Sequence, residues 1–306
     1  MNAPTPRTVE QYLDALRSAL SGADKALVQD ALYDAEEHLR SELAQRPGAD
    51  EATVLADIVA SYGAPDEVAD AYRSNEATIQ RALRTPPPPV RNSAIGRFFG
   101  IYADPRAYLS MLYMLLALVT GIVYFTFAVT GLSLSVGLAV LIIGVPFFLL
   151  FVGTTRVLAL AEGRLVEAML GTRMPRRPPY TDRDTPFLAR IGAMLRDPRT
   201  WGTLVYFLLM LPLGIFYFTF VLVGIIVSVA LAVAPVLVLL QYYGVANLGV
   251  QMGDGDVHVT HPAMLPLVTI LGILLLTISL HLSRGIGQLH GLLAKNLLVR
   301  YPGQDA

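Results

Sequence analysis

The sequence predicts an all-α protein: an N-terminal helical bundle, then a polytopic α-helical membrane domain built from two tandem repeats. Three observations carry this. Apolar residues follow helical spacing through residues 8–83. Uncharged stretches long enough to cross a bilayer follow residue 93. Finally, Asp104–Val140 reappears 93 residues later as Asp197–Val233, with 19 identities in 37 ungapped positions. Shared apolar composition would not also align the charged Asp-Pro-Arg start of both stretches, so the sequence reads as an internal duplication.

The totals agree. Of 306 residues, 54% are hydrophobic and only 15% charged. Residues 1–92 carry nine Lys/Arg against fifteen Asp/Glu, whereas residues 93–306 carry fourteen against nine. An acidic piece thus precedes a basic, apolar one. There is no cysteine, which excludes disulfides, thiolate metal sites and cysteine nucleophiles. The N-terminus lacks the apolar run of a signal peptide, so the first domain is expected on the cytoplasmic side.

Residues 1–84 are expected to form the bundle. Thr8 with Gln11 suggests a capping box before the stripe Val9, Tyr12, Leu13, Leu16 and Leu20. Asp24 caps a second helix carrying Leu27, Val28, Ala31, Leu32, Ala35, Leu39 and Leu43; Asp50 caps a third carrying Val54, Leu55, Ile58 and Val59. Gly63 suits that helix's end, and Pro65 suits N1 of a fourth with Val68, Ala71, Tyr72, Ile79 and Leu83. Glu36-Glu37-His38 reads as a solvated face, since no further ligand stands at metal spacing. The run DALYDAEEHLRSEL and the later DEATVLADIVASYGAPDEVADAYR resemble the HAAS domain, a small helical signalling module beside bacterial transmembrane sensor regions.

Residues 85–92 include four consecutive prolines, which favour a semi-rigid polyproline spacer. Membrane repeat 1 is assigned to 93–170, a cytoplasmic loop to 171–189, repeat 2 to 190–300 and a tail to 301–306. Asp104 and Asp197 suit N-caps, and Pro105 and Pro198 suit N1. Arg97, Arg106, Arg190 and Arg199 are candidate lipid-phosphate contacts at the interface, beside the aromatic markers Tyr108 and Trp201. Residues 154–200 hold nine Arg against five acids, which places this loop inside. The Tyr-Phe-Thr-Phe ends at Tyr124 and Tyr217 then face outward.

Uncharged runs of 49, 54 and 27 residues allow five crossings. Five would strand the basic C-terminal segment outside, so four spans are expected, with a turn near Thr130-Gly131. Gly224–Gly244 is expected to turn back at Ala234-Pro235 as a re-entrant segment, leaving 246–263 as an external loop. Five spans remain the alternative.

DPR, LPLGIFYFTF and the exits LALAEGRLVEAMLG and LSRGIGQLHGLLAKNLL resemble the sensor domain of bacterial histidine kinases over roughly residues 95–300. In that family a cytoplasmic kinase follows. None follows within this sequence, so output is expected through the N-terminal module, its proline stalk, or partners.

Catalytic motifs are absent from the sequence: no phosphate-cradling loop, nucleophile elbow or zincin signature occurs. No enzyme activity and no cofactor is expected. Tyr124, Thr126, Tyr217 and Thr219 are candidates for a ligand or lipid seam between the repeats. The plain alternative for the threonines is a bond to the preceding helical turn. Asp254, Asp256, His258 and His261 are weak metal candidates that read first as an external turn.

The leading expectation is a bacterial inner-membrane signalling protein that senses a lipid, an apolar ligand or the envelope state. Membrane lipids are expected partners, and direct nucleic-acid binding is not. The HAAS resemblance implies a cytoplasmic partner such as a PadR-like winged-helix regulator; a homo-oligomer is left open. The alternatives are a lipid-handling or transport subunit and a membrane scaffold.

Overall fold

The computed structural model describes residues 6–48, 50–83, 93–138, 141, 144–175, 196–243 and 264–299. Among them there is helix and no strand. The N-terminal helices are α1 (Val9–Ala19), α2 (Lys25–Ala44), α3 (Glu51–Tyr62) and α4 (Pro65–Leu83). A short α5 (Ala94–Phe99) runs into a 3-10 turn (Gly100–Ala103). The long helices are α6 (Pro105–Gly137), α7 (Gly144–Leu170), α8 (Pro198–Tyr242) and α9 (Leu265–Leu298). These four are long and apolar enough to cross a membrane. Their outer faces stay apolar where exposed, as at Val119, Phe216, Ile226 and Leu271. Such faces are stable against lipid and unstable against water.

The chain divides into two compact units, taken one at a time: residues 1–87, 128–206 and 291–306, and residues 88–127 and 207–290. Each unit therefore takes part of α6 and part of α8.

In the first unit, α1–α4 close on Val9, Tyr12, Leu16, Leu20, Val28, Leu39, Leu55 and Ile58. The caps follow the sequence. Thr8, Asp24 and Asp50 accept from the amides of Gln11, Ala26 and Thr53. The capping box is incomplete, because Gln11 Oε1 takes the Arg7 amide instead of that of Thr8. Gly63 ends α3 at φ +112°, a conformation side chains disfavour, and its carbonyl accepts from the buried Tyr12 hydroxyl at 2.9 Å. His38 stacks on Tyr62 with ring centroids 4.5 Å apart, which gives that ring a packing role. Farther along, Gly131 lies so close to Phe151 that a Cβ there would fall 2.1 Å from the ring.

In the second unit, Ile101, Ala107 and Leu280 form a small core. Tyr102 shares a hydrogen bond of 3.0 Å with Thr277, and His281 pairs with the Phe98 carbonyl at 2.9 Å. Helices α6 and α8 meet at their glycines. A Cβ at Gly121 would lie 2.5 Å from the Met210 carbonyl, and one at Gly214 would lie 2.4 Å from that of Ala117. The contact is reciprocal: each glycine faces the residue 93 positions from its own i−4 neighbour. Glycine alone permits this backbone approach in an apolar phase.

Two boundaries differ from the sequence expectation. Helix α6 does not turn at Thr130-Gly131 but continues to Gly137. Helix α8 does not turn back at Ala234-Pro235; it runs unbroken for 45 residues with Pro212 and Pro235 inside. A proline removes one helical hydrogen bond, whereas a reversal in hydrocarbon would strand several backbone groups. The unbroken helix is the cheaper solution, and it leaves four candidate spans.

Candidate functional site

The Asp-Pro-Arg starts of α6 and α8 behave alike. Asp104 Oδ1 accepts from the Arg106 amide and Asp197 Oδ1 from the Arg199 amide, both at 3.0 Å. Each carboxylate uses its second oxygen on an arginine that begins an exit segment. Asp104 pairs with Arg284 at 2.6 Å, and Asp197 with Arg156 at 3.5 Å. Six residues beyond each arginine stands a buried titratable group. Glu162 accepts from the Tyr206 hydroxyl at 2.8 Å. His290 has Tyr113 on Nε2 at 2.6 Å and Tyr217 on Nδ1 at 3.1 Å. A neutral imidazole offers one donor and one acceptor, so two hydroxyls satisfy both nitrogens. Thus the exit segments lie back along α6 and α8, instead of leaving them.

Past these groups the exits reach the N-terminal bundle, within the first unit. Arg173 lies just beyond the end of α7. Its Nη2 meets Asp30 Oδ2 at 2.9 Å, its Nε meets Glu76 Oε1 at 3.0 Å, and Glu167 Oε1 is 3.8 Å from Nη1. The Arg173 side chain is only 11% exposed. Burial alone would lower its pKa, but Asp30, then Glu76 and Glu167, outweigh burial and raise it. It therefore stays charged at any physiological pH. In the last turn of α9, Lys295 Nζ pairs with Asp24 Oδ2. Asp24 Oδ1 still caps α2 at the Ala26 amide.

The predicted seam is not assembled as one wall. Tyr124 and Tyr217 are buried, whereas Thr126 and Thr219 are exposed on the opposite sides of their helices. Two residues of helix separate each pair by about 200°, so the two residue types cannot share a face. Tyr124 stacks on Phe207 at 4.7 Å, while Tyr217 binds His290. Arg97 and Arg106 are exposed and Arg199 half-buried. Arg190, Asp254, Asp256, His258 and His261 lie outside the described residues. Among the described residues, no group of three or more His, Cys, Asp or Glu could hold a metal ion.

Sequence reasoning passed over Glu162, His290, Arg173 and Lys295. A signal for the first two existed: each stands six residues after its exit arginine and directly before a glycine. Nothing local marks Arg173 within an arginine-rich loop.

Two family models match the chain. The Sensor model, described as "Putative sensor", covers residues 113–298. The chain belongs to the Sensor family. The HAAS model matches residues 11–71. No curated protein and no solved structure matches. The Sensor domain runs from Tyr113 to Leu298, so it encloses Glu162, His290, Arg173 and Lys295. The HAAS domain includes Asp24 and Asp30. A HAAS domain ahead of a Sensor domain with four apolar helices points to a membrane protein with a sensing or signalling role.

Proposed function

We propose that this protein senses a lipid, an apolar ligand or the envelope state, and relays it through the HAAS domain to a cytoplasmic partner. It acts in the bacterial inner membrane with its N-terminus inside, and it is not an enzyme. The HAAS resemblance favours a PadR-like regulator as that partner. The carrying observation is the ion-pair junction. Asp30 and Glu76 hold Arg173 at the end of α7, and Asp24 holds Lys295 at the end of α9. These pairs support the reading, because they tie the exit segments to α2 and α4. A stimulus works only if it binds two arrangements of the membrane helices unequally. The apolar side of α8 at Ile225, Ile226, Val229, Val233 and Leu237 is open and suits contact with acyl chains.

Hydrogen exchange tests this on the full chain in nanodiscs. Changing acyl-chain length or headgroup charge is expected to alter amide protection in both 162–170 and 25–44. Unchanged protection in α2 while the exit segments respond would contradict the relay.

A further inference from the structure

Asp24, Asp30 and Glu76 come from the α2 cap, α2 and α4, and each pairs with a cation of an exit segment: Asp30 and Glu76 with Arg173, Asp24 with Lys295. None of the three belongs to the apolar core of the bundle. Asp30 and Glu76 are nonetheless buried, 6% and 8% exposed, so Arg173 neutralises carboxylates that solvent barely reaches. Asp24 divides its oxygens: Oδ1 accepts from the Ala26 amide and caps α2, and Oδ2 meets Lys295. The two arms are unequal. Arg173 is 11% exposed within three carboxylates, whereas the Lys295 and Asp24 side chains are 19% and 29% exposed. Solvent and salt weaken the second arm more.

We propose that this acidic face is the output surface of the HAAS domain, held covered by the chain's own Arg173 and Lys295. When released, it takes a partner that presents a cationic segment, which occupies the places of the two side chains. The idea rests on the signalling reading above and adds its regulation: the resting contact is autoinhibitory. Ion pairs suit that use, because a competing cation replaces them one for one, and opposite charge speeds the encounter.

The test uses full-length protein in phosphatidylcholine nanodiscs and fluorescein-labelled nona-arginine as probe, read by anisotropy. R173A/K295A is expected to bind the probe about tenfold more tightly than wild type. Adding D24N/D30N/E76Q should erase the gain. R17A/R46A makes the same charge change at exposed cations and should gain less than about twofold. K295A alone, which opens the weaker arm, should gain about threefold and guards against misfolding of the double variant. Equal gains from R17A/R46A, or a gain that survives neutralising the three acids, would overturn the proposal. If wild-type α2 ignores lipid composition while R173A/K295A still gains, the latch stands and the lipid-sensing reading falls.

Discussion

Three tyrosines in the N-terminal bundle show how single hydroxyls hold it together. Burial, reinforced by neighbouring carboxylates, raises Tyr12, Tyr62 and Tyr72 above the ordinary tyrosine range near 10. The folded state thus holds these protons more tightly than the unfolded one. Their contribution is complete below about pH 10 and is lost as pH rises through the folded-state values. Tyrosinate absorbance should therefore show a late class that ionises only as α-helical dichroism falls. Ionisation of every tyrosine near pH 10 with helicity intact would contradict this. Tyr72 also donates to Asp34 at 2.7 Å, so Tyr72→Phe should cost about 1.5 kcal/mol in thermal unfolding. A loss within error would mean that Asp34 finds water as good a partner.

Helices α1–α4 were legible because spacing, caps and glycine agree: Thr8, Asp24, Asp50 and Gly63 stand where the structure uses them. The ends of α6 and α8 were not. Thr130-Gly131 and Ala234-Pro235 are turn chemistry in water, but in hydrocarbon each backbone group must stay paired, so the helices run on. The buried hubs were half legible. Asp-Pro-Arg marks where α6 and α8 start, yet Glu162 and His290 become visible only when the exits are compared with each other. Periodicity divides the Tyr/Thr pairs, because residues two apart on a helix face opposite ways. The Gly121–Gly214 crossing carries its own prediction. Gly121→Ala or Gly214→Ala places a Cβ against a backbone carbonyl and should cost about 1–3 kcal/mol in thermal melts in detergent. Gly153→Ala meets nothing within 4 Å and should be neutral or gain up to about 1 kcal/mol from helix propensity. If all three melt alike, the close crossing does not hold in solution.

For the whole molecule, the question is what joins a HAAS domain to a Sensor domain. The sequence offers the proline-rich run of residues 85–92, which lies outside the described residues, as the covalent path between them. The structure supplies a second connection, formed by side chains distant in sequence: Arg173 with Asp30 and Glu76, and Lys295 with Asp24. No periodicity or motif could announce it, because charged pairs across 97 to 271 residues leave no local pattern. Movement of an exit segment therefore bears on the bundle by this junction as well as along the chain. The absence of cysteine makes it accessible to spin labels. The most direct measurement is the distance distribution between labels at Ser41→Cys on α2 and Ala168→Cys on α7, in nanodiscs. The parent protein should give one narrow distribution, R173E a broad one, and D30R/R173E a narrow one again. An R173E distribution as narrow as the parent's, or a reversed pair that stays broad, would contradict the claim that Arg173 joins the two domains.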